Sequence, residues 1–227
     1  MFNAGDAASS GAANVRRYLC DEAIRLARIL SELVPHEAEA ASLLALLLLH
    51  DSRRKSRAND NGEYVPLEAQ ERQRWDHIKI TEGVAILAQL DAKHADAGSY
   101  QLQAKISAEH AKAYTFTTTD WLVIARCYDQ LYQLNPTPVV RLNGAVAIAN
   151  AHCPELGLKV LRPIDDAKTL EHYQPYHAAR AELLRRSGAL QQAAQAYQTA
   201  LALTTNTTEY NFLSDRLAAV NTELSER

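Results

Sequence analysis

Glycine and proline are scarce in this chain of 227 residues, at 8 and 7 positions. Aromatic residues are few as well, at 7%. Such a composition leaves little material for loops and turns and suits helices joined by short connections. Cysteine is nearly absent. Cys20, Cys127 and Cys153 are odd in number and far apart, which excludes a disulfide framework and the close cysteine pairs of a zinc site. A reducing, cytoplasmic setting is the simplest expectation. Cys20 and Cys127 fall inside helical patterns, where cysteine packs as a small apolar residue. No long apolar run occurs: Leu43–Leu49 is the longest, far short of the roughly 20 residues of a membrane span. Residues 1–12, MFNAGDAASSGA, lack the basic start and apolar core of a secretion signal. Positive charge is not in excess. With 24 basic and 27 acidic residues the formal charge is −3, so no general attraction to nucleic acid is expected.

Motifs of chemistry are missing too. There is no Gly-x-Ser-x-Gly, no phosphate-binding glycine loop, no dinucleotide fingerprint and no His-Glu-x-x-His. The histidines are scattered. His172 and His177 are close, but their five-residue step does not place them on one helix face. Asp165 and Asp166 are adjacent in a segment that reads as loop, where solvated charge is a better account than an acid–base pair. Neither an enzyme, a cofactor nor a metal centre is expected.

What the chain does have is a recurring spacing. Ala23, Ala27, Leu30 and Pro35 form one set. Ile124, Tyr128, Leu131 and Pro136 form a second, and Ala193, Tyr197, Ala200 and Thr205 a third. Offsets of zero, four and seven share a helix face. In the first two sets proline then stops the helix, having no N–H and disfavouring helix in the residue before it. This is the second-helix signature of a tetratricopeptide-type hairpin. The fold expected is all-α, a stack of antiparallel helix hairpins in a single module over 1–227. It presents a surface, so binding is a better expectation than catalysis.

The first helix pair is expected over 15–50. Its second helix carries ASLLALLLL, apolar on a broad front, and should be central. Residues 51–66 break the pattern. Asn59-Asp60-Asn61-Gly62 is a turn signal, so an irregular or hairpin-like insertion is expected there. Additional helices follow over 67–119, with Trp75, Ile78, Ile80, Val84, Ile86, Leu87 and Leu90 in one and 100–112 as another. Asp120 is placed to cap a helix over 121–134, and 120–161 should hold the central helices, with an antiparallel pair that starts near Pro138 and has Gly157–Leu161 in its partner. Residues 162–175 look irregular. The last repeat and a capping helix occupy 176–227, with Gly188 where a hairpin needs positive φ.

The densest charge follows the most apolar helix: His50, Asp51, Arg53, Arg54, Lys55 and Arg57. Charge alone is explained by a solvated loop. A long irregular insertion in a compact domain is often functional, however. Asp51, Arg53, Arg54 and Arg57 are therefore the candidate interaction surface. Arginine suits a carboxylate partner because its guanidinium grips both oxygens. The alternative is that these arginines pair within the domain, for example with Glu68, Glu71 or Asp76.

Long segments carry a family likeness. FNAGDAASSG, LCDEAIRLARILSELVPHEAEA and LLALLLLHDSRRKSR resemble the C-terminal extension of a group of bacterial extracytoplasmic-function sigma factors. So do GEYVPLEAQERQRWD, GSYQLQAKISAEHA, TDWLVIARCYDQLYQLNPTPVVRLNGAVAIA and YHAARAELLRRSGALQQAAQAYQTALALTTN, in family order. Gly144 departs from the family pattern LNRAVA, which has arginine there, and Glu109 replaces a small or cysteine-like residue. The resemblance implies a helical, tetratricopeptide-like module behind two sigma domains that are missing from this chain. It implies contact with those domains, with core RNA polymerase or with a separate signalling protein, and promoter DNA reached only through the sigma domains. A small-ligand sensor or enzyme with a pocket between helix layers is one alternative. A free-standing tetratricopeptide adaptor is the other.

Overall fold

The computed structural model describes residues 10–59, 64–93, 96–167, 169–205 and 207–226. Among these, all regular structure is helical apart from one antiparallel bridge, Ala58 to Tyr64. Ten α-helices occur among the described residues, packed mainly on their neighbours in sequence. The chain sorts into two compact units, 1–134 and 135–227.

The first unit is built around α2 (Ala38–Ser52). Its leucine run leaves no polar face, so it is covered on several sides. The helices against it are α1 (Ser10–Leu33), α3 (His77–Lys93) and α4 (Ser99–Lys112). Leu44 and Leu48 meet Ala27 and Ile24 of α1, while Ala45, Leu46 and Leu49 meet Trp75, Ile80, Leu87, Ala104 and Ala108. Only part of the predicted α1 face is used. Ala27 is buried, but Leu30 is exposed together with Leu19, Leu26 and Leu33, because α1 lies at the margin of the unit and packs on α2. The unit ends with α5 (Trp121–Leu134), which packs on α4 through Ile124, Cys127 and Leu131. Asp120 caps it as expected, accepting from the Val123 N–H at 3.0 Å.

Both ends of α4 are capped by side chains from elsewhere in the unit. Glu39 of α2 accepts from the N–H groups of Tyr100 and Gln101, at 2.8 and 3.1 Å. At the other end Arg72 donates to the carbonyls of His110 and Ala113. An anion at the N-terminus and a cation at the C-terminus both complement the helix dipole.

The second unit holds α6 (Pro138–Ala151), α7 (Pro154–Ala167), α8 (Gln174–Arg186), α9 (Leu190–Leu203) and α10 (Thr207–Ser225). Helix α6 pairs with α7, as expected for a helix pair that starts near Pro138 and has Gly157–Leu161 in its partner. At Gly157 a Cβ would lie 2.7 Å from the Ala149 Cβ and 2.8 Å from the Ala145 carbonyl, so the close approach of α7 to α6 depends on that glycine. The irregularity expected over 162–175 begins later, since α7 continues through Pro163 to Ala167. Proline there removes one ladder bond, and Arg141 of α6 donates to the nearby Val160 carbonyl at 3.2 Å.

Helices α8 and α9 form the clearest hairpin. Ala193, Tyr197 and Ala200 are all at most 2% exposed, as the third set of spacings predicts. Gly188 takes φ +79°. Its N–H donates to the Arg185 carbonyl at 3.0 Å and the Ala189 N–H to that of Leu184 at 2.9 Å, which satisfies carbonyls that the helix end would otherwise leave open. The buried Tyr197 hydroxyl donates to Glu182 at 2.9 Å, and Arg185 grips the same carboxylate with two bonds. Helix α10 covers α9 with Leu213 and Val220.

Candidate functional site

The charged segment after α2 is folded back onto the first unit. Asp51, in the last turn of α2, is 4% exposed. Burying a carboxylate requires charge partners, and it has two. Arg54 donates to Oδ1 at 2.7 Å and Lys79 of α3 to Oδ2 at 2.6 Å. Arg54 also reaches Asp21 of α1 at 2.8 Å. One carboxylate thus ties α1, α2 and α3 together through two cations. Arg57 donates to the His50 carbonyl at 3.2 Å. Arg53 lies over the Trp75 ring, 5.7 Å from its centroid. The four residues singled out in the sequence are therefore brought together, with Asp51 beneath the surface and Arg54 and Arg57 bonded within the unit.

The insertion itself is closed by the Ala58–Tyr64 bridge. Its predicted Asn59–Gly62 turn lies mostly outside the described residues, which resume at Tyr64. Two short 3-10 turns follow, Leu67–Ala69 and Arg72–Arg74. Arg72 is the anchor. It is 8% exposed, stacks 5.2 Å from the Trp75 centroid, and donates to the Ala113 carbonyl at 3.0 Å and Thr119 Oγ1 at 3.2 Å as well as to His110. Two half-buried histidines share this cationic neighbourhood. Burial, then Arg53 and Arg57, push the His50 pKa down to about 4. Burial, then Arg53, Arg72 and His50, push that of His110 down to about 3. Both rings are neutral near pH 7.

A second feature was not singled out in the sequence. A partly open cleft of about 370 Å³ runs between α3 and α5 over α4. Each helix lines it with one two-turn stripe. These are Val84, Leu87, Ala88 and Asp91 of α3; Lys105, Ala108, Glu109 and Lys112 of α4; and Val123, Arg126, Cys127 and Gln130 of α5. All three stripes follow the offsets zero, three, four and seven, so one helix face supplies each. The signal was present in the sequence, but the stripes mix small, apolar and charged residues and do not stand out as core or as surface. The floor is apolar and tightly packed: Leu87, Ala108 and Cys127 are each at most 6% exposed. Burial pushes the Cys127 thiol pKa up, which keeps it protonated and unreactive. The acids are held by lysines, Asp91 by Lys105 at 2.7 Å and Glu109 by Lys112 at 2.8 Å. That arrangement favours a binding surface over an acid–base centre. Among the described residues no three His, Cys, Asp or Glu side chains are grouped to hold a metal ion. No described helix is long and apolar enough to cross a membrane.

Paired helices with a lined cleft define the class: an all-helical scaffold of stacked hairpins. Comparison with known proteins adds the following. Residues 1–91 match a family of unknown function (DUF6596). An uncharacterized protein of Rhizobium meliloti (strain 1021) is 41% identical over 229 residues, a match that covers 100% of this chain and 53% of the relative. The chain thus spans about half the length of the curated relative it matches. No solved structure matches it.

Proposed function

We propose that this chain is the regulatory protein-interaction domain of a bacterial RNA polymerase sigma factor. It modulates transcription initiation in the cytoplasm by contacting the sigma domains, core polymerase or a signalling partner. The observation that carries the reading is the ordered run of segments resembling the sigma-factor extension, from FNAGDAASSG to the α8–α9 hairpin. Two further findings support it. A scaffold of helix hairpins offers its surface to other chains rather than a reaction centre. The Rhizobium relative is about twice as long as this chain, which gives room for two sigma domains alongside such a module. In this reading no catalysis and no cofactor are required, and promoter DNA is bound only by the sigma domains.

The test is a titration of the 227-residue chain against core RNA polymerase and, separately, against the sigma domains of the full-length factor. It is paired with run-off transcription by the full-length factor with and without this module. Saturable binding to one of the two, and a change in initiation when the module is removed, are expected. Absence of binding to both together with unchanged initiation overturns the proposal.

A further inference from the structure

We propose that the cleft between α3 and α5 receives a segment of a partner protein that presents apolar side chains beside a carboxylate. The proposal rests on the reading above only in taking the partner to be a protein. Size is the first argument. Offsets of zero to seven along a helix span about 10 Å at 1.5 Å per residue, the length of two helical turns or about three extended residues. A cavity of about 370 Å³ takes the side chains of such a segment and leaves its backbone outside. That volume is near the lower end for small-molecule sites, which also enclose most of the ligand; this cleft is open along its side.

Lining chemistry is the second argument. The floor and walls offer Val84, Leu87, Ala88, Ala108, Val123 and Cys127, small or aliphatic throughout, so an apolar side chain can approach the helix backbones closely. Charge is the third. Lys105 and Lys112 are matched by Asp91 and Glu109, and Gln101 adds a hydrogen bond to Asp91 at 2.8 Å. Arg126 lies on the rim and is exposed, with no hydrogen bond or ion pair among the described residues. The lining therefore carries one cation beyond its internal pairs, and a carboxylate of the occupant is its complement. A guanidinium beside an apolar trough favours an acidic–apolar segment and disfavours a basic one.

The experiment is fluorescence polarisation on the full chain with a fluorescein-labelled peptide of alternating leucine and glutamate. A second peptide carries lysine in place of glutamate, and octanoate is the small-molecule arm. The leucine–glutamate peptide should bind and the lysine peptide should not. Arg126→Glu and Ala88→Trp both alter exposed positions, the first reversing the rim charge and the second filling the cleft. Each should weaken binding at least about tenfold, about 1.4 kcal/mol, with the thermal melt unchanged. Absence of peptide binding overturns the proposal, as do equal binding of the lysine peptide and indifference to both variants. Complete displacement of the peptide by octanoate at equal concentration also overturns it, since the occupant would then be a small carboxylic acid. These outcomes are separate from the transcription test: a peptide-binding cleft can exist in a domain that does not touch polymerase.

Discussion

Replacing Arg72 with methionine should destabilise the first unit selectively. The guanidinium is buried and makes three hydrogen bonds, to the His110 and Ala113 carbonyls and to Thr119 Oγ1. Methionine keeps much of the stem volume against Trp75 but supplies no donor. Two carbonyls at the end of α4 then lose their partner in a site with little water. A hydrogen bond to a charged group contributes about 1.5–3 kcal/mol, and an orphaned buried acceptor costs about 1–3 kcal/mol. Against this stands the desolvation of the guanidinium, which lowers its own pKa and which methionine avoids. The net loss should be about 3 kcal/mol. The measurement is convenient because both tryptophans of the chain, Trp75 and Trp121, lie within 1–134. Tryptophan fluorescence in urea therefore reports this unit. The midpoint should fall by about 1–3 M, from an m-value of about 1–3 kcal/mol per molar urea, with the slope unchanged. Arg72→Lys should recover only part of the loss, because an ammonium cannot span three acceptors set out for a planar fork. A fluorescence midpoint unmoved by Arg72→Met would refute the anchoring role.

Gly157→Ala should destabilise the second unit by about 1–3 kcal/mol, although alanine is ordinarily the better helix former by about 1 kcal/mol; a rise in the tyrosine-reported or circular-dichroism midpoint would contradict the close contact with Ala145 and Ala149. Ala193→Phe places a ring where no exposed area remains and should cost about 1–3 kcal/mol, and an unchanged melting curve would count against the α8–α9 packing. Acid should weaken the first unit through His50 and His110, whose folded pKa values of about 4 and about 3 lie below the ordinary 6.5. The unfolded chain binds the extra protons, so their stabilising contribution is complete above pH 6.5 and is lost as pH falls toward 4 and 3. At pH 5 the loss is roughly 2 kcal/mol per histidine, and a fluorescence midpoint equal at pH 7.5 and 5 in a His50→Gln/His110→Gln background, but not in the parent, would verify the assignment. Arg54→Ala leaves the buried Asp51 with Lys79 as its remaining cation and should cost about 1–3 kcal/mol, read by the same fluorescence melt.

Local features of the sequence carried over to the structure where one helix face decided the outcome. The unbroken leucine run of α2 could be satisfied only at the centre of several helices. Ala193, Tyr197 and Ala200 are buried because a second helix and then α10 close over them. Gly188 was legible because positive φ has a residue preference of its own. The same spacing was less informative in α1. Offsets record that one face is apolar, not how much neighbouring chain will cover it, and Leu30 stays exposed on a marginal helix. The irregularity expected from 162 starts later for a related reason. Proline's penalty is local, freeing the one carbonyl of Lys159, and the helix continues through Pro163 to Ala167.

The candidate site shows the same division more sharply. The sequence located the charge after α2 but not its destination. Asp51 meets Lys79 at a separation of 28 residues, and Arg72 meets the end of α4 at 38 and 41. No periodic pattern encodes contacts of that range. Their consequence bears on function. Arg54 and Arg72 fasten the insertion and the end of α4 in place, and α4 is the floor of the cleft. Its N-terminus is held by Glu39 and its C-terminus by Arg72, so the Lys105–Lys112 stripe lies between two fixed points. A recognition cleft needs such a floor, since a lining that must first be ordered lowers affinity by the free energy of ordering it. In the proposed reading, then, the insertion serves the cleft by positioning its floor, through Arg72.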